Sequence, residues 1–475
     1  MNENMEDITK IIAEREWEEF KKSSFGKFFT AKQMRNQELT YLNNKALDIV
    51  NEEDLFEIMS LIPQPFLTKE NVKNADVLSI LYNNFLENTE IPLTLPIFSL
   101  LSFVSAYCVK NNITHTYPNS NEKTPLDTWV TVLAPSGSAK TFSFSRIKKL
   151  IPTDPITGEK VIEQNFVKPN GPAKFIEEFS NLPEVKNSEE EQQWGFWVQD
   201  EAAQMFKQIE QIGSPLSEVK EYLLKAYDHD KLTRKSKKDD IETKSLILVL
   251  FFINTFESYV NNISSESMTD GLMRRFNLIY TEKDKSRDFT DFAMYDITKI
   301  SDSALSNKVE DLFDNIKPDQ NFTFSADCFE MYKKYFKLFW NRKYKNILID
   351  KENFYRTYMM QSWKYAVFYH LILGKKGTEV QADCLIYGMK ISLLFANSMK
   401  KFFDFKNENK SNKEQEKQKS KLLKYSEYLT DKKNENAKVR DFCRKFSIKK
   451  DDAVSILKSL ECSGIQHSIF EVLSE

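Results

Sequence analysis

Apolar positions along this chain follow two different patterns. In IIAEREWEEFKK near the start, and in DVLSILYNNFL at 76–86, they recur at i, i+3 and i+4, which predicts helices through residues 1 to about 125. Between 126 and about 300 that period is lost. Short apolar runs bounded by polar turns replace it, at 129–133, 196–199, 246–253 and 276–280. Runs of this length predict buried strands of a mainly parallel sheet, alternating with helices. From 301 to 404 the helical period returns. Ser325 is placed to cap a helix whose Phe329, Tyr332, Phe336, Phe339 and Trp340 share one face. The run FDFKNENKSNKEQEKQKSK at 403–421 is apolar-poor and mixed in charge, which fits a solvated linker or an exposed helix end. The tail, 426–475, holds VRDFCRKFSI, KKDDAVSILKSLECSGI and QHSIFEVL. It predicts helix–turn–helix–strand, with Ser447 as a cap and Gly464 as a stop. Five segments follow: 1–125 helical, 126–300 an α/β core, 301–404 a helical lid, 405–425 a charged linker and 426–475 a winged-helix-like end.

Composition narrows this picture. The 475 residues include 37 Phe but only 11 Gly and 14 Pro. So few Gly and Pro exclude a turn-rich all-β protein and low-complexity disorder. One stretch, Ile91 to Val109, carries no charged residue. Pro92 and Pro96 break its start, and the helix left is about 20 Å long, short of the ~30 Å hydrocarbon core, so it reads as a buried helix. Lys+Arg 67 against Asp+Glu 70 gives a net charge of -3. The chain as a whole is therefore no basic nucleic-acid coat, and any DNA contact must come from local elements. The five cysteines, Cys108, Cys328, Cys384, Cys443 and Cys462, show no CxxC spacing, and there are four histidines. Neither a zinc ribbon nor a disulfide framework is supported, and a reducing, cytoplasmic setting is expected. The start, MNENMEDITK, lacks the pattern of a secretory signal.

The strongest chemical signal is TWVTVLAPSGSAKTFSF. A strand runs into Ala134-Pro135-Ser136-Gly137-Ser138-Ala139-Lys140-Thr141, and a helix follows. Strand, loop, helix is the context a phosphate-binding loop needs. Successive backbone N–H groups from Gly137 to Thr141 form a nest for a β-phosphate, and the helix start adds its positive dipole end. Lys140 would reach the β/γ-phosphates, and the Thr141 hydroxyl would bind Mg²⁺. Next, an apolar strand ends in Asp200-Glu201. The first acid suits the metal; the second suits activation of the attacking water. The long run at 246–255 ends near Asn254, whose amide could orient that water. Arg274 and Arg275 precede another short strand, where an arginine can stabilise transition-state charge in a neighbouring subunit. Between acids and Asn254, KLTRKSKKDDIETKSLI reads as a β-hairpin with Arg234, Lys235, Lys237 and Lys238 at its basic tip, suited to gripping phosphates of a single strand. The tail, from 421 to 475, has 11 basic and 9 acidic residues, too even a balance to imply DNA binding.

These residues, in this order, resemble the AAA+ ATPases, and within them the MCM-like replicative helicases. The resemblance rests on Ala139 before Lys140-Thr141, on Asp200-Glu201-Ala-Ala-Gln-Met205 as a DExxxM motif, and on Arg274-Arg275-Phe276 at the place of an SRF-type arginine motif. The chain is also similar to helicase-like proteins, of primase-helicase type, of phages and mobile elements. It shares with them the phrase PLDTWVTVLAPSG and a helical stretch like YRTYMMQSWKYAVFYHLI. The resemblance implies an AAA+ core with a lid and a C-terminal winged helix, ATP and Mg²⁺ as cofactors, and a homo-oligomeric ring, expected to be a hexamer. It implies ATP-driven unwinding or translocation on single-stranded DNA, or else an initiator or loader that binds DNA with ATP without unwinding. It makes Arg275 the arginine finger and Lys364 or Arg356 a γ-phosphate sensor on the lid. The first glycine of the commoner loop is Ala134 here, and Gln199 interrupts the apolar run before the acids.

Overall fold

The computed structural model describes residues 76–462 apart from 187, 189–190, 212, 236–239, 264–270, 283–286, 342–351, 432–433 and 435–437. The helix expected near the start and the final strand expected at 466–473, with Gly464, lie outside them. The chain divides into two units, Met1–Phe402 and Phe403–Glu475.

In the first unit, the helix Val77–Asn88 starts where the Asp76 carboxylate accepts from Ser79 N at 3.0 Å. The helix Thr94–Lys110 is buried along nearly its whole length. Its serines spend their hydroxyls internally: Ser99 donates to Leu95 O and Ser105 to Leu126 O, both at 2.7 Å. No described helix is long and apolar enough to cross a membrane.

Two sheets follow. Strands β1 (Thr114–Thr116) and β2 (Lys123–Pro125) fall in the stretch expected to be helical. They join β9 (Asn321–Phe324) and β10 (Glu379–Val380), from the expected lid, in the order β10-β9-β1-β2. Strands this short show no period, and their pairing, Thr114 with Asn321, is long-range, so no local pattern announces them.

The main sheet has the order β4-β7-β3-β8, with β3 Trp129–Ala134, β4 Gln192–Asp200, β7 Ser245–Thr255 and β8 Asn277–Tyr280. All its pairings are parallel. An antiparallel hairpin, β5 (Thr233–Lys235) with β6 (Asp240–Glu242), leads into β7. β3 is buried throughout, and β7 everywhere but at its two ends. A parallel sheet needs both faces covered, and phenylalanines do much of the covering. Successive side chains alternate between faces. Thus Phe251 meets Phe144 and, through it, Phe103 on one face. Phe252 meets Trp197, Phe206 and Phe276 on the other. The parallel connections bring the last residues of all four strands, Ala134, Asp200, Thr255 and Tyr280, to one edge. The expected strands are therefore present, each extended or trimmed by a few residues.

The expected lid does contain long helices, Ala326–Phe339, Glu352–Ile372 and the start of Ala382–Thr430. Two of them touch backbone to backbone. A Cβ at Gly388 would lie 2.0 Å from Ser362 O and 2.9 Å from Ala366 N. Gly388→Ala is therefore expected to cost about 3 kcal/mol, since a close-packed contact cannot open for one methyl without shifting both helices. A urea-unfolding midpoint equal to that of the wild type would refute this.

The run 405–425 is not an irregular linker. It lies within the continuous helix Ala382–Thr430. Its Lys, Glu and Gln residues are strong helix formers, so low apolar content removes the amphipathic stripe without breaking the helix. In the second unit, Tyr425 and Leu429 from that helix form a small core with Phe442, Ala453, Leu457 and Leu460. The latter four come from helices Val439–Phe446 and Lys450–Cys462. Ser447, with φ 53°, ends the first of these rather than starting the second. A residue in the left-handed region reverses the chain after one helix, and Lys449 O then accepts from Ala453 N at 2.9 Å to open the next.

Candidate functional site

The site starts where β3 ends. Gly137 (φ 73°) and Ala139 (φ 51°) both take the left-handed conformation, which bends the loop 134–141 back on itself. For Ala139 that conformation costs about 1–2 kcal/mol, so the surroundings must hold it. Two cross-loop bonds do: Ser138 Oγ donates to Pro135 O at 2.6 Å, and Lys140 Nζ to the same oxygen at 3.3 Å. The helix Lys140–Leu150 begins immediately after, without a side-chain cap. Its first N–H groups are thus left for an anion. A Cβ at Gly137 would meet nothing within 4 Å, so that side of the loop is open.

The acids stand beside it. Asp200 is the last residue of β4, level with Ile253 of β7, and β3 is the next strand over. Thr141 Oγ1 donates to Asp200 Oδ2 at 2.9 Å, across 59 residues of sequence. Asp200 Oδ1 accepts from Glu201 N at 3.0 Å, and Ile253 O accepts from the same N–H at 2.8 Å. Glu201 itself has φ 54° and an exposed side chain. A left-handed non-glycine residue at a strand end marks a backbone held in place by its neighbours. Gln199, the polar residue in the apolar run, turns its amide to Asp200 O at 2.7 Å.

Asn254 is fully buried. Its Oδ1 accepts from Ala203 N at 2.7 Å and so fixes the helix that follows the acids, while its Nδ2 has no partner among the described residues. The side chain expected to orient water thus spends one end on the backbone and keeps one donor. Burial lowers the Lys140 pKa, against the pull of Asp200, Glu201 and Glu257. Glu257 is the acid that the motifs miss. It stands in the first turn of the helix Phe256–Asn262, just past β7, and its only sequence signal is an acid two residues beyond a buried strand.

A hydroxyl and a carboxylate in contact, next to open N–H groups, form the oxygen-rich partial set that Mg²⁺ completes with water and phosphate oxygens. Among the described residues no group of three or more His, Cys, Asp or Glu side chains converges as a metal cage. That matches an ion held jointly with a nucleotide better than a resident one.

Other expected site residues lie elsewhere. Arg274 and Arg275 form a 3₁₀ turn, Met273–Arg275, ahead of β8. Asn277 of β8 is level with Val130 of β3, so the arginines stand at the edge of the sheet opposite the loop. The hairpin β5–β6 also sits before the start of β7. Its base is closed by Thr243, whose N–H donates to Leu232 O and whose Oγ1 accepts from Leu232 N, both at 2.9 Å. Arg234 pairs with Glu218 at 3.4 Å, Lys235 ends β5, and Lys237 and Lys238 lie outside the described residues.

Lys364 does not face the loop. It is buried and donates to Asp127 Oδ1 at 2.8 Å and to Asp127 O at 2.9 Å. Asp127 precedes β3, whose six residues separate it from the loop by about 20 Å. The γ-phosphate-sensing role that the resemblance implies for Lys364 does not fit this position within one chain. The alternative, Arg356, is exposed, with its charge near Tyr332. Burial pushes the Asp127 carboxyl up, but Lys364 and His229 together hold it well below the usual carboxylate range. His229 Nε2 lies 3.4 Å from Asp127 Oδ1. This buried cluster was not among the expected site residues.

No protein-family model matches the chain, and no curated protein matches it. The class that fold and site define is an α/β protein with a mainly parallel sheet flanked by helices, carrying a strand–loop–helix turn hydrogen-bonded to a carboxylate pair.

Proposed function

We propose that the protein is an AAA+-type ATPase that hydrolyses ATP to translocate on, or unwind, DNA as a homo-oligomeric ring. The observation that carries this is the Thr141 to Asp200 hydrogen bond at the carboxyl edge of the sheet. It joins the two motifs that a nucleotide with its metal must touch at once. Lys140 and the loop N–H groups hold the phosphates, and Thr141 and Asp200 hold Mg²⁺. Bound there, the ion neutralises phosphate charge. The Glu201 carboxylate, exposed and fixed through its own N–H, accepts a proton from the attacking water, and Asn254 Nδ2 donates a hydrogen bond to it. The β5–β6 hairpin carries its basic residues toward the DNA. The winged-helix-like end serves as an accessory contact domain.

A strand-displacement assay with ATP tests the motor reading. Duplex separation that requires Lys140 is the expected result. ATP-dependent DNA binding without displacement would favour an initiator or loader instead. Absence of Mg-dependent ATP binding would remove both.

A further inference from the structure

Arg274 and Arg275 are neighbours in one turn, yet their side chains have opposite circumstances. Arg275 is fully engaged within its own chain. Its Nη2 donates to both Asp228 oxygens, at 3.0 and 3.3 Å, and its Nη1 donates to Gly271 O at 3.0 Å. The guanidinium lies over the Tyr227 ring, 5.0 Å from its centroid. Only 16% of the side chain is exposed. The turn is shaped around it: Gly271 has φ 110°, and a Cβ there would come 3.3 Å from Arg275 Nη1. Arg274 is partly exposed and makes no hydrogen bond or ion pair among the described residues.

To reach a phosphate, Arg275 would have to leave two carboxylate bonds, a carbonyl bond and an aromatic face together. Arg274 has nothing to leave. A bidentate, stacked arginine is a fixed structural piece, whereas a free guanidinium is available for a new anion. Neither arginine serves the loop of its own chain, because turn and loop lie at opposite edges of the sheet. An arginine at one edge and a phosphate site at the other meet only when copies associate head to tail, the geometry that closes into rings.

We propose that Arg274 is the residue presented to the nucleotide of a neighbouring copy, and that Arg275 is a positioning residue. Arg275 ties the turn to Tyr227 and Asp228 at the end of the helix Ser217–Tyr227. This reverses the roles implied by the resemblance, and it rests on the ATPase reading above.

The test uses the full chain and three variants, Arg274→Ala, Arg275→Ala and Lys140→Ala, assayed for ATP hydrolysis alone and in equal mixtures. Arg274→Ala is expected to keep the wild-type melting temperature and lose hydrolysis by about 10³-fold or more. Mixing it with Lys140→Ala restores a measurable fraction, because each Lys140→Ala copy offers Arg274 to an intact neighbouring site. Arg275→Ala is expected to melt lower. Its loss in melting temperature and that of Asp228→Ala are expected to be strongly non-additive, whereas those of Arg274→Ala and Asp228→Ala add. The assignment is overturned if Arg274→Ala hydrolyses ATP as the wild type does, or if Arg275→Ala, still folded, is the variant rescued by Lys140→Ala. A wild-type chain without ATP hydrolysis would overturn the ATPase reading itself, and this assignment with it.

Discussion

Glu201→Gln is expected to bind Mg·ATP as tightly as the wild-type protein and to hydrolyse it about 10²–10⁴-fold more slowly, the usual contribution of a general base. The change removes the proton acceptor and little else. Glu201 is anchored by its backbone N–H, which donates to Asp200 Oδ1 and Ile253 O, and glutamine keeps both bonds. Its side chain is exposed, so no packing is lost, and glutamine meets the same backbone cost at φ 54° as glutamate. The contacts assigned to phosphate and metal belong to Lys140, Thr141 and Asp200. Binding and catalysis therefore separate at this residue. Nucleotide titration together with a phosphate-release assay gives the answer, and hydrolysis at the wild-type rate would remove Glu201 from the mechanism.

The largest loss of stability is expected from Lys364→Met, about 3–5 kcal/mol at neutral pH, the penalty for stranding one partner of a buried ion pair. Asp127 and Lys364 side chains are only 3% and 9% exposed. Without the ammonium, burial drives the Asp127 carboxyl up, and His229 alone opposes it. The pH dependence gives a second readout. A carboxyl whose folded pKa is depressed adds stability above its unfolded value, near 3.9, and that contribution is lost as pH falls. The gap between wild type and variant should therefore be widest at neutral pH and narrow as the pH drops below about 4. Trp363 and Trp129 lie next to the pair in sequence, so tryptophan fluorescence in a denaturant series at pH 7 and pH 3.5 measures both. A loss below about 1 kcal/mol would show that solvent reaches the pair.

Much of the site was legible because its parts are strand ends. An apolar run stopping at a polar residue, as before Ala134, Asp200 and Asn254, marks an exit from a buried sheet, and a parallel sheet gathers such exits at one edge. The hairpin was legible for a similar reason: its strands flank a polar turn just ahead of a long buried strand. Glu257 was not, since a lone acid after a strand resembles any helix start. The Asp127–Lys364 pair was not, because 237 residues separate the partners and nothing local signals the match. The charged run failed in the other direction. Polarity suggested a linker, but helix propensity does not need an apolar face.

The order of patterns along the chain thus determined that a loop, two acids and an asparagine lie at buried strand ends of an α/β core, because burial and backbone geometry act over a few residues. Only the tertiary structure decided that Thr141 touches Asp200, that Lys364 belongs to Asp127, and that Arg275 is held while Arg274 is free. Each of those depends on which distant side chain occupies the one remaining position around a charge, and that is settled by sheet order and helix packing rather than by spacing.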